Sequence, residues 1–131
     1  MNDHIRSVIE WAAKSSKAGT VHFAEVVKAL VDAGVESYYA DYRAGTKTYY
    51  LPDGSTHTVR LDQPDVPIAE GFDTVAVRDA IRGAQRGDVK YPQFLCLTRA
   101  AGCVGYIVWL AGRHVSYFGS LGQTHIEHFP N

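Results

Sequence analysis

The chain is short of most things that mark a specialised class of protein. Its 131 residues include only two cysteines and one methionine. Cys96 and Cys103 are too few for a disulfide scaffold, and the spacing supplies no further ligands for a metal. Both are expected to be buried, reduced thiols. No charge of one sign dominates: 13 Lys+Arg stand against 14 Asp+Glu, a formal net charge of -1. Coating nucleic acid or an acidic membrane needs several excess cations, so neither is expected. No apolar run approaches a membrane span, and the longest, Val104 to Leu110, has the length of a strand. No apolar signal core follows the charged stretch Met1 to Arg6, so a cytoplasmic location is expected. Nucleophile motifs, phosphate loops and paired carboxylates are missing too. The sequence therefore marks no catalytic class, and neither cofactor nor metal is expected.

What the chain does have is a stretch that occurs twice. Shifted along itself by 68 positions without a gap, Gly34 falls on Gly102, Tyr38 on Tyr106, Tyr49 on Tyr117, Gly54 on Gly122, Thr56 on Thr124 and His57 on His125. Upstream, Gly19 meets Gly87, Val21 meets Val89 and Phe23 meets Tyr91. A fixed offset over nearly half the chain is the mark of an internal duplication. The expected repeats are about residues 1–63 and 69–131, within a single domain of ordinary globular length. Residues 20–61 and 88–129 are expected to superpose.

Hydrophobic periodicity places the elements. Ile5, Val8, Ile9 and Ala12 make a helical stripe over His4 to Lys17, capped by Asn2 or Asp3 and ended by Gly19. A second helix, His22 to Ala33, has Thr20 as its expected cap and Phe23, Val26, Val27, Leu30 and Val31 as its inner face. Beyond Gly34 the period becomes two and Tyr and Thr dominate, which predicts strands over Ser37–Tyr42, Thr46–Leu51 and Ser55–Leu61. Asp62 to Glu70, with Pro64 and Pro67, reads as a connector. The second half repeats the plan: helices Asp73–Arg86 and Tyr91–Ala100, then strands near Val104–Leu110, Arg113–Phe118 and Gln123–His128. The fold class that follows is α+β, an internally duplicated ααβββ repeat with antiparallel sheet packed against helices about a pseudo-twofold. One six-stranded sheet and two facing sheets are equally compatible with it.

The run Ala80-Ile81-Arg82, Gln85, Gly87, Val89, Tyr91, Phe94, Ala101-Gly102, Tyr106, Tyr117-Phe118-Gly119, Gly122, His125, Glu127 and Phe129-Pro130 resembles the YdfO-like family of unknown function. Its members are often labelled "phage envelope protein". The resemblance covers most of residues 70–130, and more weakly Val26 to Gly54. It implies a small bacterial or prophage-borne cytoplasmic α+β domain, and it brings no activity and no catalytic residues.

Four features invite a functional reading. Helix, turn, helix and hairpin over His4 to Leu51 imitate a winged helix, but Glu25, Lys28 and Asp32 nearly cancel on the would-be recognition helix. Arg78, Arg82 and Arg86 line one helix face, as a solvated face or a contact for an acidic partner. Tyr38, Tyr39, Tyr42, Tyr49 and Tyr50 crowd one hairpin, where rings that are not packed across strands would form a binding surface. His125 and His128 point to opposite strand faces, against a metal pair. A pairing of Phe118 with Gln123 would instead set Ser116 opposite His125 and His114 opposite Glu127, giving four polar groups on one face suited to acid–base work. His125, Glu127, His114 and Ser116 are thus the candidate catalytic residues. Tyr39, Tyr50, His57, Phe118 and His125 are the candidate ligand contacts. The reading favoured is a non-catalytic module, monomeric or homodimeric, for an unknown protein or small-molecule ligand. The alternatives are a small enzyme using the His/Glu face and, third, nucleic-acid binding.

Overall fold

The computed structural model describes residues 1–130. Its elements follow the predicted order: α1 (Asp3–Ala18), α2 (Phe23–Asp32), β1 (Ser37–Asp41), β2 (Thr46–Tyr50) and β3 (Thr56–Arg60), then α3 (Thr74–Arg86), α4 (Tyr91–Ala100), β4 (Cys103–Trp109), β5 (His114–Gly119) and β6 (Thr124–His128). All six strands join one antiparallel sheet in the order β3-β2-β1-β4-β5-β6. The seam is β1 against β4, with Tyr39 opposite Ile107 and Ala40 opposite Tyr106. The structure thereby decides for one sheet over two.

The helix ends explain themselves locally. The Asn2 carboxamide oxygen accepts from the Ile5 N–H, and Asp73 does the same for Ala76 at the start of α3. For α2 the expected cap is corrected. Thr20 instead donates its hydroxyl to the Ser15 carbonyl, and His22 occupies the capping position, its N–H held by the Glu25 carboxylate at 3.0 Å. Proximity to the end of α1 drew Thr20 away.

Period-two alternation gives the sheet a covered face and an open one. The helices lie on the first, where two cross-strand rows run the width of the sheet. One reads His57–Tyr49–Tyr38–Val108–Val115–Glu127 and the next Val59–Lys47–Ala40–Tyr106–Tyr117–His125. Ile9 and Ala12 of α1, Leu30 of α2, Val77 of α3 and Leu95 of α4 complete the core. The Tyr42 hydroxyl, fully buried, is satisfied by Thr98 Oγ1 at 2.8 Å. The connector is stapled down by Arg99, which donates to the carbonyls of Val66 and Tyr42. Two backbone bonds, Ala69 to Arg99 and Asp73 to Ala101, hold it against the end of α4.

The cysteines differ in depth. Cys103 is fully buried in the core, and desolvation pushes its thiol up to about 12, while Cys96 is half-buried on α4. A thiol reagent at pH 8 is therefore expected to label Cys96 alone in the folded protein and both residues after denaturation without reductant. Rapid labelling of Cys103 in the folded state would contradict this packing.

Candidate functional site

The final hairpin decides which polar residues meet. Gly119 continues β5, its N–H bonding the Gln123 carbonyl at 2.8 Å, so the loop is Ser120-Leu121-Gly122 with Gly122 left-handed at φ 82°. Phe118 therefore pairs with Thr124, not Gln123. Tyr117 faces His125, Val115 faces Glu127, Ser116 faces Ile126 and His114 faces His128. The expected four-residue constellation is corrected: moving the pairing by one residue exchanges the partners of every side chain. His125 and Glu127 lie on the helix-covered face. His114 and Ser116 lie on the open one, where Ser116 accepts from the Trp109 indole at 3.2 Å.

The candidate ligand contacts are likewise divided. Tyr39, Tyr50 and Phe118 sit on the open face. His57 is on the covered face, but its Nε2 is bonded to Glu10 of α1 at 2.7 Å. His125 stacks near Tyr117, with ring centroids 6.3 Å apart, and its Nε2 lies 3.4 Å from Glu127 Oε1. Glu127 is gripped by Arg82 at 2.8 Å. Desolvation raises its carboxyl, but the Arg82 guanidinium and then His125 outweigh it and hold the group below the usual carboxylate range. The arginine stripe is thereby partly consumed, since Arg86 also pairs with Asp88.

The structure brings a different group of residues together. α2 packs on α1, α3 on α4 and α1 on α4, whereas α2 and α3 stand apart. Between them a cavity of about 670 Å³ opens down to the sheet, a volume typical of small-molecule sites. Its α2 wall is the part of the predicted inner face that did not reach the core. Phe23 and Val31 are exposed and Val27 is half-buried, and all three line the space. Ile81 and Ala84 of α3 and Tyr91 and Phe94 of α4 form the other wall. Tyr38, Tyr106 and Tyr117 pave the floor, their hydroxyls kept protonated by burial. At the mouth, Phe23 meets Phe129 edge-on at 5.9 Å, and Arg113 lies over the Phe129 ring.

Into this aromatic cavity projects Lys47 of β2, only 5% exposed. Its Nζ lies 4.4 Å from the centroid of Tyr91 and 5.7 Å from that of Tyr38. Those ring faces stabilise an ammonium in part. Burial alone lowers the amine from its ordinary 10.5 to about 8, with no contribution from a charged or hydrogen-bonding neighbour. Of the other charges around the cavity, Lys28 pairs with Asp32, and Glu127 with Arg82. Lys47 was missed by sequence reasoning, although two signals mark it. It shares a strand face with Tyr49, two residues on, and the 68-residue shift puts Val115 in its place. A second, open cleft of about 450 Å³ between α1 and α2 is lined by Val8, the exposed Trp11, Ala29 and Ala33, and its polar groups are the exposed His4, Ser7 and Asp32.

Among the described residues no helix is long and apolar enough to cross a membrane. An uncharacterized protein of Mycobacterium bovis and two of Mycobacterium tuberculosis strains are each 34% identical to the chain over 100 residues. The alignments cover 66% of this chain and 60% of each relative, so the chain spans less than two thirds of their length. The profile described as "Protein of unknown function (DUF1398)" matches residues 20–127, most of the chain from α2 into β6, and the chain therefore belongs to the DUF1398 family.

Proposed function

We propose that the protein is a binding module for a small amphiphilic molecule, whose apolar body occupies the cavity between α2, α3 and the sheet while a polar head meets Lys47. The observation that carries this reading is Lys47: a side chain only 5% exposed, facing open space, with no carboxylate or carbonyl bonded to its amine among the described residues. A buried charge without a partner costs several kcal/mol on the scale of ion desolvation. An anionic ligand head supplies the missing partner, and the aromatic walls take the chain or ring attached to it. Charge complementarity thus selects an anion with an apolar tail. A four-residue acid–base site no longer supports the enzymatic alternative, because the hairpin register separates its members.

The narrower setting belongs to the same proposal: a YdfO-like, prophage-borne protein working in the cytoplasm, one domain descended from a duplicated unit. The descent is supported by the two inner rows, which the 68-residue shift carries onto each other position by position. His57 goes to His125, Tyr38 to Tyr106 and Ala40 to Val108. Two departures are the charges, Lys47 for Val115 and Glu127 for Val59.

Calorimetric titration with dodecanoate tests the reading. Wild type is expected to bind it, Lys47→Met to bind it at least tenfold more weakly, and dodecanol to distinguish little between the two proteins. Absence of dodecanoate binding, or equal affinity in both proteins, would sink it.

A further inference from the structure

The geometry points to a covalent capability at the same cavity: we infer that the Lys47 amine condenses reversibly with an aldehyde on an apolar chain, holding it as an imine. This rests on the cavity being the ligand site, as proposed above, and adds a reaction to it.

Three observations lead here. The first is the amine's isolation. A lysine tied to a carboxylate is kept as ammonium and has no lone pair to offer, whereas Lys47 has no such tie. Its lowered proton affinity leaves a useful fraction as free amine near neutrality, which is how buried lysines become nucleophiles. The rings nearest it are those of Tyr38 and Tyr91; of the other charged groups lining the cavity Lys28, Lys90 and Arg113 are cations, and the acids Asp32 and Glu127 are committed to Lys28 and Arg82. None of these provides a neighbouring anion that restores the ammonium.

The second observation is a proton donor. The hydroxyls of Tyr91 and Tyr106 are hydrogen-bonded to each other at 2.7 Å. One phenolic proton makes that bond, and the other has no acceptor among the described residues. Both tyrosines line the cavity, and the Tyr91 ring lies against the lysine. The chemistry needs such a donor. The amine lone pair attacks the carbonyl carbon, a C–N bond forms as the carbonyl π bond opens, and a proton passes from nitrogen to oxygen to give a carbinolamine. The hydroxyl then leaves as water with a proton lent by the phenol, the nitrogen lone pair closes the C=N bond, and the resulting iminium returns its N–H proton to the phenolate. Amine plus aldehyde thus gives imine plus water, with no oxidant or reductant. A phenolic hydrogen bond to the departing oxygen assists the second step.

The third observation is the wall. Apolar and aromatic side chains surround the nitrogen, so once the chain fills the cavity little water is left to reverse the condensation. The competing nucleophile Cys103 is buried outside this lining, and Cys96 also lies away from it.

The experiment treats the full-length protein with decanal and cyanoborohydride at pH 7.5, followed by intact mass and peptide mapping. The terminal amine and the other four lysines, Lys14, Lys17, Lys28 and Lys90, serve as internal controls. The expected result is one decyl group, mapped to Lys47 at tenfold or more over any surface lysine, and suppressed by dodecanoate. Lys47→Met is expected to lose that adduct, and Tyr91→Phe to form it more slowly at saturating decanal. Labelling spread over the lysines according to exposure, or a product unchanged in Lys47→Met, overturns the inference. If dodecanoate binds but Lys47 takes no label, the covalent step alone is wrong. If dodecanoate does not bind either, the binding reading falls with it.

Discussion

Lys47→Met is expected to fold normally and to melt roughly 5 °C or more above the wild type at pH 7, because it removes a largely buried charge with no ion-pair partner among the described residues. Methionine nearly matches the lysine stem and gives up only the ammonium's contacts with the Tyr38 and Tyr91 rings. The gain is on the order of 1–3 kcal/mol, by analogy with buried charges replaced by apolar groups. Its dependence on pH gives a sharper check. The amine titrates at about 8 in the folded protein against 10.5 ordinarily. Below pH 8 both states hold the proton, and the folded one bears the full penalty. Between about 8 and 10.5 the unfolded chain binds a proton that the folded protein does not, so wild-type stability rises with pH. The gap between variant and wild type should therefore close by roughly 2–3 kcal/mol from pH 7 to pH 10. Denaturant melts of both proteins across that range decide it. A gap that stays constant would mean the lysine is solvated or paired in solution, and the case for a ligand at that position would fail.

The second large effect separates two residues that the 68-residue shift sets at matching positions. Gly34 and Gly102 end α2 and α4 with φ of 88° and 90°. Alanine at either suffers the left-handed backbone, about 1–2 kcal/mol. At Gly34 that is the whole cost, since an added Cβ meets nothing. At Gly102 it falls on the carbonyl oxygen of Gly71 and crowds the Cα of Phe72. The connector would have to lift, straining the bonds from Ala69 to Arg99 and Asp73 to Ala101. With each bond contributing about 1 kcal/mol, Gly102→Ala should lose roughly 3–4 kcal/mol, a large share of a typical domain's stability. Thermal melts should show a small drop for Gly34→Ala and a collapse for Gly102→Ala. Similar drops in both would show that the connector yields freely.

The elements were legible because their signals are local. Glycine exits, strand alternation and the Asn2 and Asp73 caps depend on neighbours in the chain, and each predicted strand overlaps an observed one. The site was less legible, for two reasons. Gly119 suits a turn as well as a strand, and only its pairing with Gln123 fixes the partners of His114, Ser116, His125 and Glu127. The second reason is α2. Its apolar stripe predicts a buried face, yet Phe23 and Val31 stay uncovered because α3 does not close over them, and no local pattern encodes that gap. Lys47 was within reach, since Tyr38, Tyr49, Tyr106 and Tyr117 repeat at matched positions as core residues do, and a lysine in step with them stands out.

The seam between β1 and β4 governs how the chain reaches this structure. Each meander zips through hairpins that close after a few residues, and each helix pair is equally local. The seam instead joins Tyr39 to Ile107 and Ser37 to Trp109, segments with a helix pair, two strands and the connector between them. Loop closure on that scale is the entropic cost that slows folding. The two halves are thus expected to collapse early and wait on their mutual docking. Until β1 finds β4, each half presents a bare strand edge of the same register, and at high concentration a second molecule can take the place of the missing half.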